Sequence, residues 1–278
     1  MECRLKDFTV YYEEFGEGRP LIALHGWSLD HHHMVSALEP LFEHRQGWKR
    51  FYPDLPGHGR TSGEDRITNQ DQMLDVVMGF IENVVGGGRF AVAGASAGAY
   101  LARGVAYRSA ALMDGLLLVV PLIVADDGKR TLPPHVTLVE DSALISELDP
   151  AEAEVFQMAV VQSRRLLDSI RSDPALTGGV GDQGFQERIR LKPERYAFSF
   201  DVDELREPFA APTLIITGRQ DSGVGYRDAW GIVENYPRGT FVSLDRAGHS
   251  LEIEQEGLFQ ALVSEWLDRV EEHGGVVK

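Results

Sequence analysis

The apolar positions of this chain fall into short runs separated by longer periodic stretches. Residues 8–13 form a short β-favouring run closed by Gly16-Glu17-Gly18, which predicts a strand of an early hairpin. Residues 20–24 are an apolar run stopping at His25-Gly26, the pattern of a buried strand feeding a loop. Residues 48–52 predict a third strand, closed by the turn-rich Asp54-Leu55-Pro56-Gly57-His58-Gly59. Met73, Val76, Val77, Phe80, Ile81 and Val84 recur at helical spacing and predict an amphipathic helix, ended by Gly86-Gly87-Gly88. Residues 90–93, 116–120, 213–217 and 240–244 predict further strands. Residues 97–107 read as a buried helix, and residues 258–270 as an amphipathic one closing the chain.

Strands alternating with helices imply an α/β architecture, a mostly parallel sheet covered on both faces. Residues 123–208 break this rhythm, so the expected organisation is a core of 1–122 and 209–278 carrying 123–208 as an inserted subdomain. Within the insertion, residues 151–172 predict one helical segment and residues 178–184 a glycine-rich patch.

Composition narrows the function. The chain has 278 residues, 43% hydrophobic and 25% charged, and a net charge of −16. A surface this acidic repels phosphate backbones and anionic headgroups, so neither nucleic acid nor a membrane is an expected partner. Cys3 is the sole cysteine, which rules out an internal disulfide and cysteine-rich zinc sites. Residues 1–8 carry charge and no apolar run, as in a chain without a signal peptide, and the longest apolar stretch is too short to span a bilayer. A soluble cytoplasmic protein acting on a small molecule, without metal or other cofactor, is the expectation.

Gly94-Ala95-Ser96-Ala97-Gly98 matches G-x-S-x-G, a strained strand-to-helix turn that lifts a serine hydroxyl clear of the sheet. With 29 glycines and 15 serines the bare pattern would arise by chance roughly 0.16 times, so context decides. The motif follows a predicted strand and opens a predicted helix, whereas an ordinary N-cap serine between glycines is the bland alternative. A serine nucleophile needs a base. Of nine histidines, His249 sits in the tight loop Ala247-Gly248-His249-Ser250 beyond the last predicted strand. His31, His32 and His33 read as an exposed polar turn, His135 and His273 as solvated, and His25 as a brace for its loop. The base needs a carboxylate to orient it, and Asp221 follows the strand at 213–217 within Gly218-Arg219-Gln220-Asp221. In isolation Asp221 would read as a turn residue. The chain order Ser96, Asp221, His249 removes that ambiguity. The Ala97 N–H is one expected oxyanion donor and the Trp27 N–H, in the loop after an early strand, the other.

Five motifs in this order, His25-Gly26-Trp27, the segment at 54–62, 94–98, 218–221 and 247–249, resemble the α/β-hydrolase superfamily in its cap-bearing branch. The resemblance covers nearly the whole chain. It implies the α/β-hydrolase fold, a mostly parallel sheet flanked by helices, with a mainly helical cap inserted between late strands. It also implies that the segment at 54–62 is structural. Many members carry a second glycine after the elbow where this chain has Ala99. A serine nucleophile speaks against the dehalogenase and epoxide-hydrolase branches. Three functions follow: a carboxylesterase-like enzyme cleaving an ester, thioester or lactone; a carbon–carbon bond hydrolase or other cofactor-free enzyme on the same triad; and a non-catalytic small-molecule receptor.

Overall fold

A computed structural model describes residues 1–173 and 175–275; position 174 of the insertion and positions 276–278 of the closing core segment lie outside the described residues. The strands are β1 (Glu2–Arg4), β2 (Thr9–Phe15), β3 (Arg19–Leu24), β4 (Trp48–Pro53), β5 (Phe90–Ala95), β6 (Met113–Val119), β7 (Thr213–Gly218) and β8 (Gly239–Leu244). They form one eight-stranded sheet in the order β1-β2-β4-β3-β5-β6-β7-β8. β2 runs antiparallel to both its neighbours, and the other pairings are parallel. Every residue of β5, β6 and β7 is buried. That is why these strands are apolar throughout rather than alternating.

The main flanking helices are α1 (His31–Phe42), α2 (Gln70–Val85) and α3 (Ala97–Ser109), with a long helix at the chain's end. α2 stops where the sequence predicts, at Gly86, whose φ of +67° is left-handed and whose N–H donates to the Glu82 carbonyl. The chain steps from β3 outward to β4, then returns past β3 to β5. Right-handed crossovers therefore put α1 on the opposite face from α2 and α3. The same reversal opens a crevice beyond the carboxyl ends of β3 and β5.

α1 overturns the polar turn expected at His31-His32-His33. Asp30 caps it, accepting from the His32 N–H at 3.0 Å, and His31 turns inward as part of a buried row with Met34, Leu38 and Phe42. The Asp54 carboxylate draws His31 in, accepting from its N–H at 2.9 Å and facing its Nδ1 at 2.8 Å.

Between β6 and β7 lie α4 (Ser142–Ile145), α5 (Pro150–Gln157), α6 (Arg164–Ser172), α7 (Ala175–Gly178), α8 (Gln183–Arg190) and α9 (Pro193–Tyr196). The single helix expected over 151–172 is two. The break has a cause: the Val160 and Val161 N–H groups donate to Glu254, and Val161 pairs with Val139 in a short parallel bridge. Ser163 then caps α6 through the Leu166 N–H. Leu144, Phe156, Leu166, Leu167 and Ile170 form a small apolar cluster of their own. The segment rests on the loop after β4, where the Phe185 ring covers Gly57 and the Asp182 N–H donates to the Gly57 carbonyl at 2.9 Å. After β7 come α10 (Arg227–Trp230), α11 (Leu251–Glu254) and α12 (Glu256–His273). Arg45, just beyond α1, bridges to Asp268 and Glu271 of α12 at 2.8 and 2.6 Å, placing the two helices side by side. Among the described residues no helix is long and apolar enough to cross a membrane.

Candidate active site

Ser96 sits between β5 and α3 with φ +52° and ψ −116°, a conformation that a side-chain-bearing residue adopts only when its surroundings impose it. They do so from several sides. Its N–H donates to the Val119 carbonyl on β6, and its carbonyl accepts from Leu122. A Cβ at Gly94 would run into the Gly98 carbonyl, and one at Gly98 into the carbonyls of Leu24 and His25. Both glycines of the motif are therefore sterically required. The Ser96 hydroxyl makes no cap bond to its own helix. Its Oγ instead lies 3.0 Å from His249 Nε2, which disposes of the ordinary N-cap reading.

His249 stands in the loop after β8, its side chain 45% exposed. Its Nδ1 donates to Asp221 Oδ2 at 2.9 Å. A carboxylate only accepts, so Nδ1 carries the proton and Nε2 is free to accept from the serine. Asp221 is fully buried, and its other oxygen accepts from the Gly223 and Val224 N–H groups at 2.8 and 3.0 Å. Burial alone would raise its pKa; the His249 ring and these amides outweigh that and hold it below the usual aspartate value. Partial desolvation of the ring by the loops around it works against a charged His249, but the Asp221 charge and hydrogen bond, with Glu252 behind them, raise its pKa overall. The two loops are laced together: the Gln220 N–H donates to the Ala247 carbonyl at 3.0 Å, and the Ala247 N–H to Gln220 Oε1 at 3.2 Å.

The loop after β3 brings Trp27 to the same place. Among the described residues, neither the Trp27 N–H nor the Ala97 N–H has a protein acceptor. Ala97 opens α3, where first-turn amides have no helical partner and the helix dipole favours negative charge. The Trp27 indole packs edge-on against His58 and Tyr196, 4.8 and 5.0 Å between centroids, and also lines the cavity. His25 is the expected brace: its Nε2 accepts from the Leu55 N–H at 2.9 Å and its Nδ1 donates to the Gly26 carbonyl. Burial above all, with His58 nearby, lowers its pKa to about 3, keeping it neutral.

A cavity of about 510 Å³ opens in front of Ser96 and His249, within the size range of small-molecule sites. Val155, Met158, Ala159 and Leu176 of the inserted segment form one wall. Its described lining includes Glu154, Glu252 and Glu254 but no lysine or arginine. Sequence reasoning missed His33, Glu252 and Glu254. His33 Nδ1 accepts from the Gly26 N–H at 3.4 Å, and its Nε2 faces Glu252 Oε1 at 3.5 Å, so this pair supports the loop bearing Trp27. Glu252 and Glu254 follow His249 by only a few positions, the signal that could have found them. For metals, Asp30, His31 and His32 are the described group with donor atoms within 4.8 Å of one another, but Asp30 is occupied as a helix cap and His31 by Asp54. His135 and His273 are exposed as expected.

A model of the alpha/beta hydrolase family matches residues 21–261, and the chain belongs to that family. It is similar to a crystal structure of an alpha/beta superfamily hydrolase from Oenococcus oeni PSU-1, with 27% identity, 98% of this chain and 99% of that one covered, and a TM-score of 0.86. It is also similar to the AB hydrolase superfamily protein YisY of Bacillus subtilis (strain 168), 24% identical over 93% of this chain and 95% of that protein. Pimeloyl-(acyl-carrier protein) methyl ester esterase of Legionella pneumophila (strain Corby) is 20% identical over 93% of this chain and 99% of its own length.

Proposed function

We propose that the chain is a serine hydrolase that cleaves a small carboxylic ester, thioester or lactone through an acyl-enzyme on Ser96. The observation that carries this reading is the relay from Ser96 Oγ to His249 Nε2 at 3.0 Å and from His249 Nδ1 to Asp221 at 2.9 Å. His249 takes the serine proton as Oγ attacks the carbonyl, and the new bond turns the carbonyl oxygen into an oxyanion held by the Trp27 and Ala97 amides. The imidazolium, stabilised by Asp221, gives its proton to the leaving group. Water then enters, His249 takes its proton as the oxygen attacks the acyl carbon, and as the acyl–Oγ bond breaks the imidazolium returns that proton to Ser96 Oγ, releasing the acid.

Residues 123–208 act in this reading as a cap over a core of 1–122 and 209–278, and supply the wall that shapes the substrate pocket. The esterase relative above is a reason to begin with esters. So is the lining: with carboxylates and no cation among its described residues, the pocket would repel an anionic group beside the reacting carbonyl.

A fluorophosphonate probe should label the wild-type protein and leave Ser96→Ala unlabelled. A folded wild-type protein that stays unlabelled would overturn the proposal. Short-chain p-nitrophenyl esters run beside vinylogous diketones then separate ester from carbon–carbon hydrolysis.

A further inference from the structure

Glu254 holds backbone amides from two distant parts of the chain. Its Oε2 accepts from the Gly248 N–H at 2.5 Å, one residue before His249. Its Oε1 accepts from the Val160 and Val161 N–H groups at 2.7 and 3.1 Å, in the break between α5 and α6. Bonds from N–H to a carboxylate are charge-assisted and stronger than those to a neutral acceptor. The two parts also touch: a Cβ on Gly248 would come within 2.9 Å of the Val160 side chain. The Val160 carbonyl in turn accepts from the Leu138 and Val139 N–H groups, so the carboxylate anchors a paired segment rather than a loose loop. That segment faces the reaction, with Met158 and Ala159 lining the cavity alongside Ser96 and His249.

We propose that Glu254 is a positioning residue that makes the placement of His249 depend on the docking of the cap. The inference rests on the acyl-enzyme reading of Ser96 and adds a regulation of that site. With the cap seated, one carboxylate is fixed from both sides and holds the backbone next to the base. When the cap lifts, Oε1 loses two donors, the side chain is free to turn toward water, and Gly248 loses a fixed acceptor. A displacement of His249 by about 1 Å is enough to slow the chemistry by about 100-fold. The base is thus fully aligned when the cavity is covered, and relaxed when it stands open to solvent.

The test compares full-length wild type, Glu254→Ala and Glu254→Gln, each checked for folding by circular dichroism. Ser96 labelling by a fluorophosphonate and turnover of a short-chain p-nitrophenyl ester report the base. In Glu254→Ala, labelling rate and kcat should fall roughly 10- to 100-fold while KM changes far less. Glu254→Gln keeps the side-chain length and one acceptor oxygen, so it should fall between. The pH inflection of kcat/KM reports His249 among its charged neighbours Asp221, Glu252 and Arg130, and should move down in Glu254→Ala as the Asp221 contact loosens. Hydrogen exchange of the Val160 and Val161 amides should quicken in the same variants. A folded Glu254→Ala that labels like wild type, with an unmoved inflection, overturns the coupling; where Glu254→Ala does not fold, a Glu254→Gln indistinguishable from wild type does the same. Wild type that is not labelled at all overturns the acyl-enzyme reading itself, and so is told apart from failure of the coupling alone.

Discussion

Asp221 receives the His249 Nδ1–H at 2.9 Å from a position without solvent exposure, while its second oxygen is pinned by the Gly223 and Val224 amides. The pinning decides what Asp221→Asn will do. The asparagine oxygen takes the two amides and its NH₂ group turns toward His249. The ring then has to accept at Nδ1 and carry its proton on Nε2, the tautomer that cannot remove the serine proton. We expect kcat to fall by about 10⁴-fold. The melting temperature should change little, because the amide bonds that hold the loop survive. Ester turnover and a thermal melt of the same preparation check both halves.

The same pair sets the pH dependence. Only neutral imidazole can act as base, so kcat/KM should rise with pH through the His249 pKa. That pKa is raised, since Asp221 and Glu252 outweigh the opposing effect of partial desolvation, and the inflection should fall above the ordinary histidine value. Glu252→Gln removes one negative charge and one reason to hold the proton. Its inflection should move down, leaving the variant relatively more active at acidic pH. Rates measured across about pH 5 to 8 cover the relevant range; an inflection that stays put in Glu252→Gln would show that this carboxylate does not act on the base.

What the sequence made legible, and what it hid, follows from how far each determinant lies along the chain. β3, β5, β6 and β7 stand out because burial on both faces writes them as short apolar runs. Ser96 and Asp221 were legible because they follow β5 and β7, whereas His249 follows the half-buried β8 and stood out through its tight Gly248-His249 loop and its place in the chain order. α1 was hidden because its first turn is three histidines and Pro40 stands inside it, and because the partner that draws His31 inward is Asp54, 23 positions away. The break in the helix expected over 151–172 was hidden for the same reason. Its amides are claimed by Glu254, 94 and 93 positions further on, and no local pattern announces so remote an acceptor.

Gly98 is where the elbow meets the end of β3. A methyl group there would strike the Leu24 and His25 carbonyls, backbone atoms that cannot rotate aside. Gly98→Ala must push β3 and the following loop away from α3, and that loop carries the Trp27 amide. We expect a stability loss of about 1–3 kcal/mol, the usual cost of overpacking. The fall in kcat should be larger than the stability loss alone explains, because one oxyanion donor moves out of line with the other. Urea unfolding and ester turnover together separate these effects; unchanged turnover in a destabilised variant would count against Trp27 as a donor.

Phe185 tests how firmly the inserted segment is joined to the rest. Its ring is 1% exposed, and it fills the space that side chains at Gly57 and Gly63 would otherwise occupy. Phe185→Ala empties that space and should cost about 3–5 kcal/mol, the range for a buried phenylalanine. Where the loss appears is the informative part. If residues 123–208 unfold together with the sheet, a single urea transition moves to lower concentration. If they form a cap with its own stability, which the separate apolar cluster at 144–170 favours even though Phe185, Ile189 and Tyr196 pack with the core, an early transition splits off while the core transition stays in place. Tryptophan fluorescence can follow both, since Trp27 packs against Tyr196 of the insertion whereas Trp48 and Trp266 are buried in the core. We expect the early transition, accompanied by loss of ester turnover at urea concentrations that leave the core folded, because the wall of the cavity before Ser96 goes with the inserted segment.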